Sequence, residues 1–110
     1  MKLPNGEYAI VEMEKLAHYC LDRDHPRGRH KARVFASALG LGAQDAPFLQ
    51  EQLKAAARSC EAVRTDDSPF GAHYQVDFEV ARASRRAVVR SCWIVRGSET
   101  VPRLTSCWVL

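Results

Sequence analysis

Hydrophobic positions along the chain recur first at helical spacing and later at every second residue. Met13, Leu16, Tyr19 and Cys20 fall at the i, i+3, i+4 spacing of one buried face, which predicts a first helix over about 12–22. Residues 22–27 break it, and Pro26 holds His25 away from helical dihedrals. Ala32, Phe35, Ala36 and Leu39 form the stripe of a second helix over 29–39, closed by Gly40 at the C′ position. A third helix spans about 45–60. Asp45 is placed to cap it, Pro47 suits its first turn, and Phe48, Leu49, Leu53, Ala56, Ala57 and Cys60 line its inner face.

The period then changes. Residues 61–71 read as a loop. Tyr74, Val76, Phe78 and Val80 alternate with Gln75, Asp77 and Glu79, the pattern of a half-buried strand over 72–81. Residues 86–96 and 101–110 supply two more strands, rich in β-branched and aromatic residues. Links this short make sequential strands antiparallel neighbours. The expected fold is α+β: two to three N-terminal helices on one face of a C-terminal antiparallel meander of three to four strands. It forms a single domain over 1–110, with a helical half (1–60) and a stranded half (72–110).

The bulk properties add modest constraints. A chain of 110 residues, 46% hydrophobic and 26% charged, can bury one core without a disulfide or a metal. A net charge of +3 permits an RNA or other anionic partner without requiring one. No apolar run approaches the ~20 residues of a membrane span, and the start MKLPNGEYAIVEMEK lacks the apolar core of a secretory signal. The expected setting is therefore a reducing cytoplasm, with no membrane partner. Cys20, Cys60, Cys92 and Cys107 lack the close pairing of zinc ligands and sit in apolar contexts, so they read as buried free thiols. Cys92 and Cys107 could also lie on neighbouring strands as an oxidised pair. No nucleotide loop, metalloprotease motif, nucleophile elbow or calcium loop occurs, so no cofactor is expected.

Candidate chemistry gathers in HPRGRHKARVF, residues 25–35. On the second helix His30, Arg33 and Ser37 share a face opposite the apolar stripe. Arg27, Gly28 and Arg29 stand at its N-terminus, where unpaired backbone N–H groups attract anions and a glycine permits close approach. Lys31 adds to this local cationic site. The competing reading is a solvated helix start, with Asp22 or Asp24 compensating cations that oppose the helix dipole. His25 and His30 are candidates for proton transfer near neutrality. His73 opens the first strand and is a second candidate, while His18 reads as a surface residue. Arg90, in an apolar strand, needs a partner: Asp77 or Glu79 across the pair, or a ligand phosphate. Arg103 and Thr105 are expected to share a face of the last strand with Cys107 and Val109. Trp93 and Trp108 read as core rather than as stacking platforms.

LPNGEYAIVEMEKLAHYCL, HPRGRHKARVFASALGL, YQVDF and W-I-V-x-x-G-x-x-x-V-P-R-L together resemble a family of small bacterial proteins of unknown function. These occur alone, in paired toxin–antitoxin-like arrangements and at the ends of polymorphic toxins. Helices followed by a meander also resemble the barnase–EndoU–colicin–RelE (BECR) group of metal-independent ribonuclease toxins. There a terminal W-x-I…P-x-L-x-T pattern would match Trp93, Ile94, Pro102, Leu104 and the neighbouring Thr105, with Ile94 and Thr105 each one position short of the pattern's spacing. The resemblance implies RNA cleavage by 2′-OH attack on phosphorus. His30, His73 and Arg33 would be catalytic. Arg27, Gly28, Arg29, Lys31, Arg90, Arg103 and Thr105 would bind phosphate or RNA. A cognate antitoxin or immunity protein would control the activity. The alternative is a non-catalytic interaction module, an antitoxin, immunity or adaptor protein that docks through its basic helix.

Overall fold

A computed structural model describes all residues from Met1 to Leu110. Three helices precede a four-stranded sheet of order β1-β2-β3-β4, with every neighbouring pair antiparallel. The α+β meander expected from the hydrophobic pattern is therefore the observed fold.

Helix α1 begins at Met13–Lys15 and continues through Leu16–Cys20 as a π-helical turn, in which the Leu21 N–H donates to the Leu16 carbonyl at 2.8 Å. The wider winding departs from the regular helix expected over 12–22. Leu16 and Cys20 are buried as expected, whereas Met13 lies at the surface. Helix α2 is Arg29–Leu39 and buries Ala32, Phe35 and Leu39. It ends at Gly40 in the left-handed region, φ 68°, which costs little without a Cβ. Helix α3 is Ala46–Ser59, preceded by a short 3-10 turn at Ala43–Asp45. Asp45 does not cap α3 with its side chain. Its carboxylate instead accepts from the Gly42 N–H at 2.9 Å, and Arg82 Nη1 lies 2.8 Å away.

Strand β1 (Val63–Arg64) falls where a loop was expected; both residues are exposed, so no alternation marks it. Strands β2 (Gly71–Arg82) and β3 (Arg85–Arg96) form a hairpin in which Tyr74 faces Trp93, Val76 faces Ser91 and Phe78 faces Val89. The two-residue link places Ala83 at φ 55°. Strand β4 is Arg103–Val109. Its register shifts where Cys92 pairs with Ser106 but Trp93 pairs with Leu104, which leaves Thr105 as the extra residue of a bulge. The bulge reverses the expected alternation. Thr105 does not share a face with Cys107, and Leu104 and Cys107 are the core residues.

Phe35 and Leu39 of α2, Leu49 and Leu53 of α3, and Val76, Val80, Val89, Trp93 and Leu104 of the sheet belong to one buried cluster. Helix α2 packs on β3 and β4, and α3 packs on β2. Ser91 is the buried polar residue. Its hydroxyl donates to the Val76 carbonyl at 2.8 Å and accepts from Trp93 Nε1 at 2.9 Å, so the indole N–H enters the core satisfied. The opposite face of the sheet carries His73, Gln75, Asp77, Arg90, Cys92, Ser106 and Trp108, all exposed or half-buried. Ile10 pairs with Arg103 and covers the beginning of β4's outer edge. No helix is long and apolar enough to cross a membrane.

Candidate nucleic-acid interface

His25 organises the turn into α2. Pro26 forces the chain to bend there, and the Nδ1 of His25 accepts from the backbone N–H groups of Arg27 and Gly28, each at 3.0 Å. The His25 carbonyl accepts from the Arg29 N–H at 3.0 Å. Three amides expected to be open to an anion are thus taken by one histidine. Since Nδ1 accepts two hydrogen bonds, the proton of the neutral ring sits on Nε2. The ring packs edge-on against Tyr19 with centroids 4.9 Å apart.

Gly28 has a structural role in place of the expected anion-facing one. A Cβ there would lie 2.1 Å from the Tyr19 carbonyl oxygen, so the glycine lets α2 approach the π turn of α1. That contact draws His25, Tyr19 and Lys15 together. With Arg27 and Thr105 they line a recess of about 420 Å3. Thr105 reaches it because of the β4 bulge, and its hydroxyl donates to the Cys92 carbonyl at 3.1 Å. The recess therefore presents two cationic side chains, two hydroxyls and an imidazole.

The other expected phosphate ligands divide sharply. Arg90 makes a bidentate pair with Asp77, both contacts at 2.9 Å, which answers its need for a partner without a ligand. The Asp77 carboxylate holds the Arg90 guanidinium above its ordinary value. Arg103 bridges Glu99 at 2.8 Å and Glu12 at 3.2 Å and is likewise committed. Lys31 is half-buried. Its Nζ meets the Tyr19 hydroxyl at 3.2 Å and the Ser106 hydroxyl at 3.1 Å, and stands about 5 Å over the rings of Tyr19 and Trp108. Arg29, His30 and Arg33 are exposed on α2.

His30 and His73 are not brought together. His73 Nε2 lies 2.8 Å from the Ser68 hydroxyl and lines a different recess, of about 330 Å3, with Thr65, Asp66, Tyr74, Gln75 and Cys92. His30 lines neither recess. Lys15 and Tyr19 were missed as site residues because the π turn that orients them leaves no mark on the hydrophobic pattern.

The charge distribution singles out the same region. Of the sixteen lysines and arginines, seven stand within 4.0 Å of a carboxylate: Lys2, Arg64, Arg82, Arg86, Arg90, Arg96 and Arg103. Six of the rest, Lys15, Arg23, Arg27, Arg29, Lys31 and Arg33, fall within one short segment. Asp22 and Asp24 offset two of these six charges but form no ion pair with them; Asp22 accepts instead from the Asp24 N–H at 2.9 Å. Opposite charges thus pair over much of the sheet, while residues 15–33 keep an excess of positive charge, with Lys15 and Arg27 at the recess.

All four cysteines are free. Cys107 does not face Cys92, which pairs with Ser106; it faces Cys20 of α1. Beside Cys107, and with Lys31 nearby, the Cys20 thiol is lowered to about 7 against the opposing effect of burial. The same interaction raises Cys107 well above its ordinary value.

Fold and surface define an α+β domain with a cationic recess between α1, the link from α1 to α2, and β4. The chain belongs to the family defined as a domain of unknown function (DUF6883), whose model matches residues 2–110. No curated protein and no solved structure matches it.

Proposed function

We propose that the domain binds RNA through the Lys15–Tyr19–His25–Arg27–Thr105 recess and the adjoining cationic face of α2, and that it cleaves RNA as a metal-independent ribonuclease-like toxin domain. The observation that carries the binding is the excess of cations over residues 15–33, two of them lining a recess with the Tyr19 hydroxyl and the His25 imidazole. Such a surface attracts a phosphate backbone and releases its counterions. In the reaction, the 2′-oxygen bonds to the adjacent phosphorus and the 5′-oxygen bond breaks. One proton leaves the 2′-OH and another reaches the departing oxygen. Arg27, Lys15 and the His25 Nε2–H would oppose the charge growing on the phosphoryl oxygens. His30, exposed beside Arg29 and Arg33, would carry a proton. The cleavage step rests on the resemblance to the BECR ribonucleases, and a cognate antitoxin or immunity protein with an acidic face would hold the domain in check.

A second reading has its own support. His30 and His73 are separate, and His25 Nδ1 is committed to backbone, so no acid–base pair is assembled around the recess. That favours a non-catalytic module that uses the same cations to dock.

Incubation of purified protein with RNA in EDTA decides between them. The expected result is cleavage by wild type, reduced at least about 10-fold in His30→Ala and in Arg27→Ala. RNA binding without cleavage would give the docking module. Neither binding nor cleavage by a folded wild type would overturn the RNA reading.

A further inference from the structure

Phe70 is the most exposed large hydrophobic side chain, at 75% of its surface. It is not on a loose segment. Ser68 and Gly71 exchange two backbone hydrogen bonds at 3.0 and 3.2 Å, and the Phe70 N–H donates to the Ser68 hydroxyl at 3.2 Å. The Gly97 N–H donates to the Phe70 carbonyl at 3.2 Å, which ties the turn to the end of β3. An aromatic side chain carried into water by a hydrogen-bonded turn is available for a flat partner. Phe70 lines a recess of about 620 Å3 with Pro69, Ile94, Arg96, Gly97, Ser98 and Thr105. Thr105 also lines the cationic recess. The two hollows therefore lie on either side of one residue, the bulge of β4. One offers cations and hydrogen-bond donors; the other offers an aromatic face, an aliphatic floor at Ile94 and the Arg96 guanidinium.

We propose that Phe70 is a base-stacking subsite and that the ligand is single-stranded RNA, with a phosphate in the Lys15–His25–Arg27 recess and an unpaired base on the Phe70 ring. The proposal rests on the RNA reading above and narrows it. A base within a duplex is already stacked on both sides and cannot offer its face to Phe70. A single strand can, while its backbone follows the positive surface.

The test uses labelled, 2′-O-methylated oligonucleotides of about 12 nucleotides, within the usual span of single-strand sites. They resist cleavage, and binding is read by fluorescence anisotropy. Wild type should bind the single strand more tightly than a duplex of equal length. Phe70→Ala should weaken the single strand about 10-fold, corresponding to stacking of one base, and leave duplex affinity and salt dependence unchanged. Phe70→Tyr should restore the single-strand affinity. Arg27→Ala should weaken both ligands and flatten the salt dependence. Unchanged single-strand affinity in Phe70→Ala, with the Arg27→Ala loss intact, would overturn the stacking subsite and leave the phosphate recess standing. Absence of binding to either oligonucleotide by folded wild type would overturn both.

Discussion

The hydrogen bonds of His25 resemble those of a helix cap, made here on the turn that leads into α2 by a residue type outside the usual capping set. Its Nδ1 accepts from the amides two and three positions ahead, as an Asn or Asp oxygen does at an N-cap. Removing the ring leaves two amides without a partner, one of them on the buried Gly28. His25→Ala should therefore cost about 1–2 kcal/mol, and His25→Asn should recover most of that loss. Urea unfolding of the three proteins measures it, and a His25→Ala variant as stable as wild type would refute the capping role. From sequence, His25 reads as a proton-transfer candidate, and Gly28 reads as part of an anion site because arginines flank it. What decided otherwise was contact across the fold. Gly28 meets the Tyr19 carbonyl, and Arg90 and Arg103 meet carboxylates on Asp77, Glu99 and Glu12. Only the Asp77 partner was visible as a strand neighbour in advance. Ser91 belongs with these cases, since its value lies in joining the Val76 carbonyl to the Trp93 indole.

Helix α2 was legible residue by residue, since its apolar stripe, polar face and terminal glycine all follow one regular period. The hairpin β2–β3 was equally plain, because a strand half-buried against helices must alternate. Irregular winding broke that logic elsewhere. The π turn of α1 widens the helix locally, so Met13 leaves the expected face while Leu16 and Cys20 keep it. The β4 bulge inserts Thr105 and carries it away from the face of Cys107. Both irregularities border the cationic recess, so the features hardest to read are the ones that shape the site. The phase of α2 has a direct test. Phe35 is fully buried and His30 exposed. Phe35→Ala should lose about 3–5 kcal/mol, and His30→Ala should lie within about 0.5 kcal/mol of wild type. Equal losses in thermal or urea unfolding would contradict the helix phase.

Across the whole molecule, two ion-pair groups join the helical layer to the sheet. Arg82 at the end of β2 meets Asp45 ahead of α3, and Arg103 of β4 meets Glu12 ahead of α1 and Glu99 in the β3–β4 loop. The Gly42 N–H, then the Arg82 guanidinium, hold the Asp45 carboxyl below its ordinary value of 3.8. Arg103 holds Glu99 below 4.5. A carboxyl with a lowered folded value binds fewer protons in the native than in the unfolded state, so stability rises with pH across the interval between the two values. The contribution is complete above the unfolded values and disappears as pH falls through the folded ones. Unfolding free energy should therefore show no dependence from these two groups near neutrality and decline below about pH 4. Asp45→Asn retains an acceptor for Gly42 but loses the charge opposite Arg82. That variant should be less stable than wild type at neutral pH and should converge towards it in acid. Urea midpoints for both proteins at about pH 7 and about pH 3 supply the comparison. A constant gap between them would show that the Asp45 charge does not hold the helical layer to the sheet. A closing gap would show that the Asp45 carboxylate, through its charge opposite Arg82, ties the segment ahead of α3 to the end of β2.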